Sequence, residues 1–266
     1  VCCCGSQRNL PIMTAELLSG IVFKSTGSWY EVKTDNGKLY DCRVPGIFRL
    51  GNQIKATNPI AVGDHVKIEV ENENSATALI REILDRKNYL IRKASKMNSK
   101  VHILASNIDC AIIFFTIKQP RTSEGFLSRF LVTCDAYDVP VLIVWNKIDL
   151  LKSKDLEKLE ELKSYYSNLG YDNYAASMLN KEDAEYLKEN VKNKVSLLFG
   201  HSGTGKSTFL NKAYNLELQT SELSKIYNKG RHTTTFAAMY EFDEGTRIID
   251  TPGIREFGLS GFESNE

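Results

Sequence analysis

The chain has 266 residues, 42% of them hydrophobic, and a formal net charge of +1. That is material for two modest packed domains, and so even a charge supplies no global field toward nucleic acid or a membrane. Six cysteines, at positions 2, 3, 4, 42, 110 and 134, form no Cys-x-x-Cys pair, which excludes a disulfide framework and a zinc-ligand spacing and points to a reducing, cytoplasmic setting. The longest apolar runs, Cys110–Ile117 and Val139–Trp145, are too short to cross a bilayer.

Residues 1–16 read as a leader, disordered or artificial; VCCCGSQRNLPI differs from everything after it, and Met13 offers a native start. Residues 17–85 read as β throughout. Strands are expected at Leu18–Lys24, Trp29–Thr34, Lys38–Val44, His65–Glu71 and Thr77–Ile83, with an Asp35-Asn36-Gly37 hairpin turn. Five short strands and one longer connection suit a five-stranded OB-type barrel, a fold that often binds RNA through one face. Trp29, Tyr30, Tyr40 and Phe48, with Lys24, Arg43, Arg49 and Lys55, are candidates for that face; the plain alternative is that the aromatics fill the core. Residues 86–106 read as a basic linker. Arg86–Lys100 carries six Lys or Arg and no acid, as a solvated connection or a contact to phosphate backbone.

From 107 to 266 strands alternate with helices, which predicts a mostly parallel sheet covered on both faces. The strands are Asp109–Ile117, Val139–Trp145, Asn173–Ala176, Val195–Phe199, Phe236–Phe242 and Arg247–Ile249. Helices are expected at Thr122–Ala136, Leu156–Leu169, Lys181–Lys192 and Phe209–Asn215, the second with Leu156, Leu159, Leu162, Tyr166 and Leu169 on one face.

Four motifs in this half carry chemistry. Asn146-Lys147-Ile148-Asp149 follows a strand. Its Asp149 carboxylate can accept from guanine's ring N–H and exocyclic amine, while Asn146 bonds the purine edge and the Lys147 stem lies against the base. Ala176 and Ser177 can add a backbone contact to the base. Gly200–Thr208, GHSGTGKST, has P-loop spacing between a strand and a helix. Gly200, His201, Ser202, Gly203, Thr204, Gly205 and Thr208 would wrap phosphate, Lys206 would reach the outer phosphates, and Ser207 would hold Mg2+. In GRHTTT a threonine can close on Mg2+; Thr234 is favoured, with Thr233 or Thr235 open. In Asp250-Thr251-Pro252-Gly253, Asp250 suits Mg2+ through water and Gly253 an N–H aimed at the γ-phosphate. The base motif precedes the P-loop by 54 residues, the reverse of the usual order, so the chain reads as circularly permuted.

An N-terminal barrel followed by NKID, GHSGTGKST, GRHTTT and DTPG resembles the RsgA/YjeQ family of circularly permuted GTPases that depend on the small ribosomal subunit. The resemblance implies GTP hydrolysis during late maturation of that subunit, with its rRNA as partner, and no membrane; a monomer is expected. Since Ile254 stands where many GTPases place a water-orienting Gln, it implies His232 as the catalytic substitute, against a plainer role in RNA contact or packing. Such families usually add a C-terminal zinc module, whose Cys and His ligands this sequence does not contain. The rival readings are a GTP-dependent assembly factor with negligible catalysis, a permuted GTPase of the large subunit, and a P-loop ATPase or kinase.

Overall fold

The computed structural model describes residues 17–45, 59–93, 101–216, 237–243 and 245–250. Five strands, β1 (Leu17–Ser25), β2 (Tyr30–Thr34), β3 (Leu39–Arg43), β4 (His65–Asn72) and β5 (Thr77–Ile83), close into the expected barrel. Their order is β1-β2-β3-β5-β4, closed by β1 on β4; only β3 and β5 run parallel. Alternation decides what lies inside. In β3, Tyr40 and Cys42 point in while Leu39, Asp41 and Arg43 point out. Tyr30 and Tyr40 are therefore core residues, beside Val22, Val32, Val66, Ile68 and Ile80, not RNA-facing ones. Trp29 is exposed, whereas Lys24 and Arg43 are ion-paired to Glu31 and Glu71. Phe48, Arg49 and Lys55 lie outside the described residues.

The stretch expected as a linker holds a strand pair, β6 (Tyr89–Lys93) on β7 (Val101–Ser106), antiparallel. Its apolar residues Leu90, Ile91, Ile103 and Leu104 are buried, a pattern that the run of charges conceals in the sequence. A buried polar tie fastens this pair to the barrel. The Asp64 carboxylate accepts from Arg86 Nε (2.6 Å) and Nη2 (2.6 Å), from Ser106 Oγ (2.6 Å) and from the Ala61 N–H (2.9 Å).

The second half holds β8 (Cys110–Phe115), α1 (Glu124–Ala136), β9 (Val141–Asn146), α2 (Ser153–Asn168), β10 (Asp172–Ala176), α3 (Lys181–Val191), β11 (Val195–Phe199), α4 (Lys206–Tyr214), β12 (Ala238–Glu241) and β13 (Arg247–Asp250). Sheet order is β10-β9-β8-β11-β13-β12, parallel except for β12. The two faces of each strand feed two cores. Ile113, Phe115, Trp145, Leu197 and Phe199 meet α1 and α2, while Ile112, Phe114, Val144 and Leu198 meet α3 and α4. In α2 only the centre of the expected stripe is buried, at Leu159 and Tyr166; Leu156 and Leu169 at its ends are exposed.

Barrel and sheet share β1. Val22 points into the barrel, Ile21 and Phe23 pack into the core under α1, and Lys24 pairs with Ala238 of β12. A bulge between Val22 and Lys24 bends β1 away from β2, and together they make one sheet of 11 strands.

Candidate nucleotide site

The chain reverses direction across the sheet at β11. Strands β8, β9 and β10 lie to one side of it, β13 and β12 to the other, which is the kind of crevice where open α/β sheets bind ligands. The loop 200–205 leaves the end of β11 there and enters α4, whose first turn carries Lys206, Ser207 and Thr208. Gly205, at the helix N-cap, has φ +112°, and a Cβ on it would stand 1.9 Å from Asn146 Nδ2. Only glycine satisfies both conditions. The first-turn N–H groups and the helix dipole suit an anion. Lys206 Nζ lies within the loop, donating to the carbonyls of Gly200 (2.6 Å) and His201 (2.9 Å). Burial pushes this ammonium's pKa down, and the Asp250 carboxylate pulls it back up. Asp250 ends β13 in register with Leu198 of β11, which places it beside the loop. Ser207, in the first turn of α4, and Asp250, at the end of β13, each carry a hard oxygen of the kind that Mg2+ takes.

The His201 ring stacks on Phe126 of α1, 4.1 Å between centroids, while its backbone stays in the loop, where its carbonyl accepts from Lys206. Burial, then the Lys206 charge, holds the ring's pKa below the usual value. Ser202 and Gly203 are exposed, and Thr204 is buried with its Oγ1 donating to the His201 carbonyl (2.8 Å).

The base motif follows β9. Asn146, 4% exposed, spends its amide on bracing: Nδ2 donates to the Thr204 carbonyl (2.7 Å), and Oδ1 accepts from the Met178 N–H (3.0 Å). One side chain thereby ties the P-loop to the loop after β10. Lys147 sits in the left-handed region (φ +64°) and donates from Nζ to the Gln119 carbonyl (2.5 Å). Asp149 is exposed on a short 3-10 turn, and its Oδ1 accepts from Ser177 Oγ at 2.5 Å. Three of the carboxylate's four lone-pair positions remain for a base. Ala176 is buried at the end of β10, and the Ser177 N–H goes to Asp183 Oδ2 (2.9 Å), while its hydroxyl meets Asp149.

Sequence reading missed Gln119, 28 residues from Lys147, and Asp183, only six from Ser177 but in no recognisable motif. His232, Thr234 and Gly253 lie outside the described residues. The hydroxyl contact gives an expected result: Ser177→Ala should weaken GDP binding about fivefold to tenfold, the effect of one ordinary hydrogen bond. It should also narrow the preference for GDP over IDP, which lacks the exocyclic amine. Competition titration with both nucleotides measures each.

Comparison with known proteins agrees with this architecture. The RsgA GTPase family matches residues 83–260, and the RsgA N-terminal domain family matches residues 19–78. A protein named small ribosomal subunit biogenesis GTPase RsgA from Bacteroides fragilis is 46% identical over 250 residues, covering 94% of this chain and 80% of that one. Its namesake from Christiangramia forsetii is 42% identical over 251 residues, covering 94% and 79%. The crystal structure of YjeQ from Thermotoga maritima superposes with a TM-score of 0.67 at 32% identity, over 90% of this chain and 76% of that one. YloQ, described as a circularly permuted GTPase, superposes at 0.62 over 93% and 75%; at 24% identity it speaks to the fold alone. With both halves matched in this order around one shared strand, the chain belongs to the RsgA family of GTPases.

Proposed function

We propose that this protein hydrolyses GTP to GDP and phosphate during biogenesis of the small ribosomal subunit, with hydrolysis stimulated by that subunit. The observation that carries the reading is Asn146, whose amide joins the P-loop at Thr204 to the turn that holds Asp149 and Ser177. Phosphate and base motifs separated by 54 residues in the chain thereby lie together. Asp149 reads guanine, Lys147 lies along the base, and Lys206 with the α4 N-terminus takes the phosphates. Ser207 and Asp250, with Thr234 from the GRHTTT segment, would hold Mg2+, which would supply positive charge to the phosphates. Gly253 is assigned to the γ-phosphate.

The Ile254 side chain has no hydrogen-bonding group with which to orient water, and the resemblance to the family assigns that role to His232. The rRNA of the subunit is the natural occupant of the barrel surface, and a cytoplasmic place of action follows from that partner. Among the described residues no helix is long and apolar enough to cross a membrane.

Single-turnover hydrolysis with and without small subunits tests the reading. The subunits are expected to raise the rate by more than about tenfold, modest beside what partner groups do for other GTPases. Equal rates would leave an assembly factor in which GTP only sets conformation. Asp149→Asn should move preference from GTP toward XTP; unchanged use of ATP by both proteins would end the guanine assignment.

A further inference from the structure

The segment 116–122 joins β8 to α1 and carries no nucleotide motif, yet it meets both motifs at once. The Gln119 carbonyl takes the Lys147 ammonium (2.5 Å), and the Pro120 ring packs against Gly203, with Cδ 3.6 Å from where a Cβ would be. Its third tie is Lys118 Nζ to Asp155 Oδ2 (2.5 Å), and that same carboxylate oxygen accepts from the Lys152 N–H at the start of α2 (3.1 Å).

Within the loop, the Thr122 N–H donates to the Thr116 carbonyl (2.9 Å), Thr116 Oγ1 to the Pro120 carbonyl, and the Thr116 N–H to Thr122 Oγ1 (3.3 Å). Both threonines are buried. Behind the loop lies a cavity of about 350 Å3, bounded by Ile117, Arg121 and Thr122 on one side and by Lys158 and Leu162 of α2 on the other. Ile117 packs against the core beneath α1, and these polar ties set the course of the loop past it.

The geometry points to this loop as a third element of the nucleotide site, a clamp that sets how long guanine nucleotides stay bound by holding Lys147 in place. It rests on the reading of Lys147 as a base-contacting residue. A lysine stem has many rotamers, and fixing it on a carbonyl beforehand removes that ordering cost from nucleotide binding. The tie is made at the base motif, so it acts on GDP and GTP alike and leaves hydrolysis of bound GTP untouched. Thr116 and Lys118 are positioning residues, since neither meets the nucleotide.

Dissociation of fluorescent GDP and of a fluorescent, non-hydrolysable GTP analogue, followed by stopped flow, tests this. Thr116→Val should speed both by about fivefold to tenfold, as loss of one buried hydrogen bond would, with the single-turnover rate at saturating GTP unchanged. In a Lys147→Ala background the same change should have no further effect, because the loop acts through that lysine. Lys118→Met, at the surface, should move both rates the same way by about twofold to threefold, the scale of an exposed ion pair, and decides the matter alone if Thr116→Val does not fold. Unchanged rates, or an equal increase with Lys147 absent, would overturn the clamp while GDP binding by the wild type, weakened in Lys147→Ala, left the site reading standing. If Lys147→Ala had no effect on GDP binding, the assignment of Lys147 would fall and the clamp with it.

Discussion

Asp64→Ala is expected to cost about 3–5 kcal/mol of folding free energy, the scale for leaving one member of a buried ion pair alone. Asp64 is fully buried and the Arg86 side chain is 10% exposed. Removing the carboxylate leaves a guanidinium whose other contact is the Pro59 carbonyl (2.8 Å), and it strips the Ala61 N–H and the Ser106 hydroxyl of a common acceptor. The backbone beside it is tightly held, since Gly63 (φ +93°) lies so close that a Cβ would sit 2.1 Å from the Ser106 carbonyl. Domains of this kind hold about 5–15 kcal/mol in all, so the loss is a large share. Denaturant titration measures it, and a cost under about 1 kcal/mol would mean that the pair contributes no more than a surface one. The double variant Asp64→Leu with Arg86→Met should recover much of the loss, because no charge is then left in the interior.

Gly205→Ala should reduce GDP affinity by more than about 100-fold, or roughly 2.7 kcal/mol, while the rest of the protein keeps its fold. The methyl group would occupy the place of Asn146 Nδ2, and Asn146 cannot yield without giving up Thr204 and Met178. Backbone strain at φ +112° adds to the clash. Gly203 supplies the control. It too has positive φ (+80°), but its nearest neighbour is Pro120 Cδ at 3.6 Å, so Gly203→Ala carries the strain without the collision and should lose clearly less affinity. Isothermal titration with GDP, beside circular dichroism for the fold, separates the two. Equal affinities for Gly205→Ala and the wild type would show that the contact with Asn146 does not shape the site.

What the sequence made legible was local. The P-loop and the Asn146–Asp149 motif are runs of consecutive residues, and strand β3 shows its two faces in five residues. The barrel and the permuted sheet follow from such signals, and both are present. What stayed hidden depends on partners far apart in the chain. The spacing of the P-loop cannot say that the His201 ring stacks on Phe126, nor that Asn146 braces two loops. The β6–β7 pair was obscured for another reason, because six basic residues in fifteen outweighed the apolar ones between them. Tyr30 and Tyr40 illustrate a middle case. Their spacing from Val32 and Cys42 marks the inner face, once it is clear which face the barrel closes upon.

The shared strand has one more consequence, which concerns solubility. Without β1, the four-residue β12 would be an open sheet edge, with unpaired amides and carbonyls ready to join another chain. The Lys33–Glu241–Arg247 ion pairs add charge at that seam, and Ile21 and Phe23 plug the apolar hollow beneath it. The barrel is therefore also a guard for its neighbour. Cutting the chain between the two halves would uncover a strand edge and a greasy socket in one stroke, and would favour aggregation over a free GTPase half.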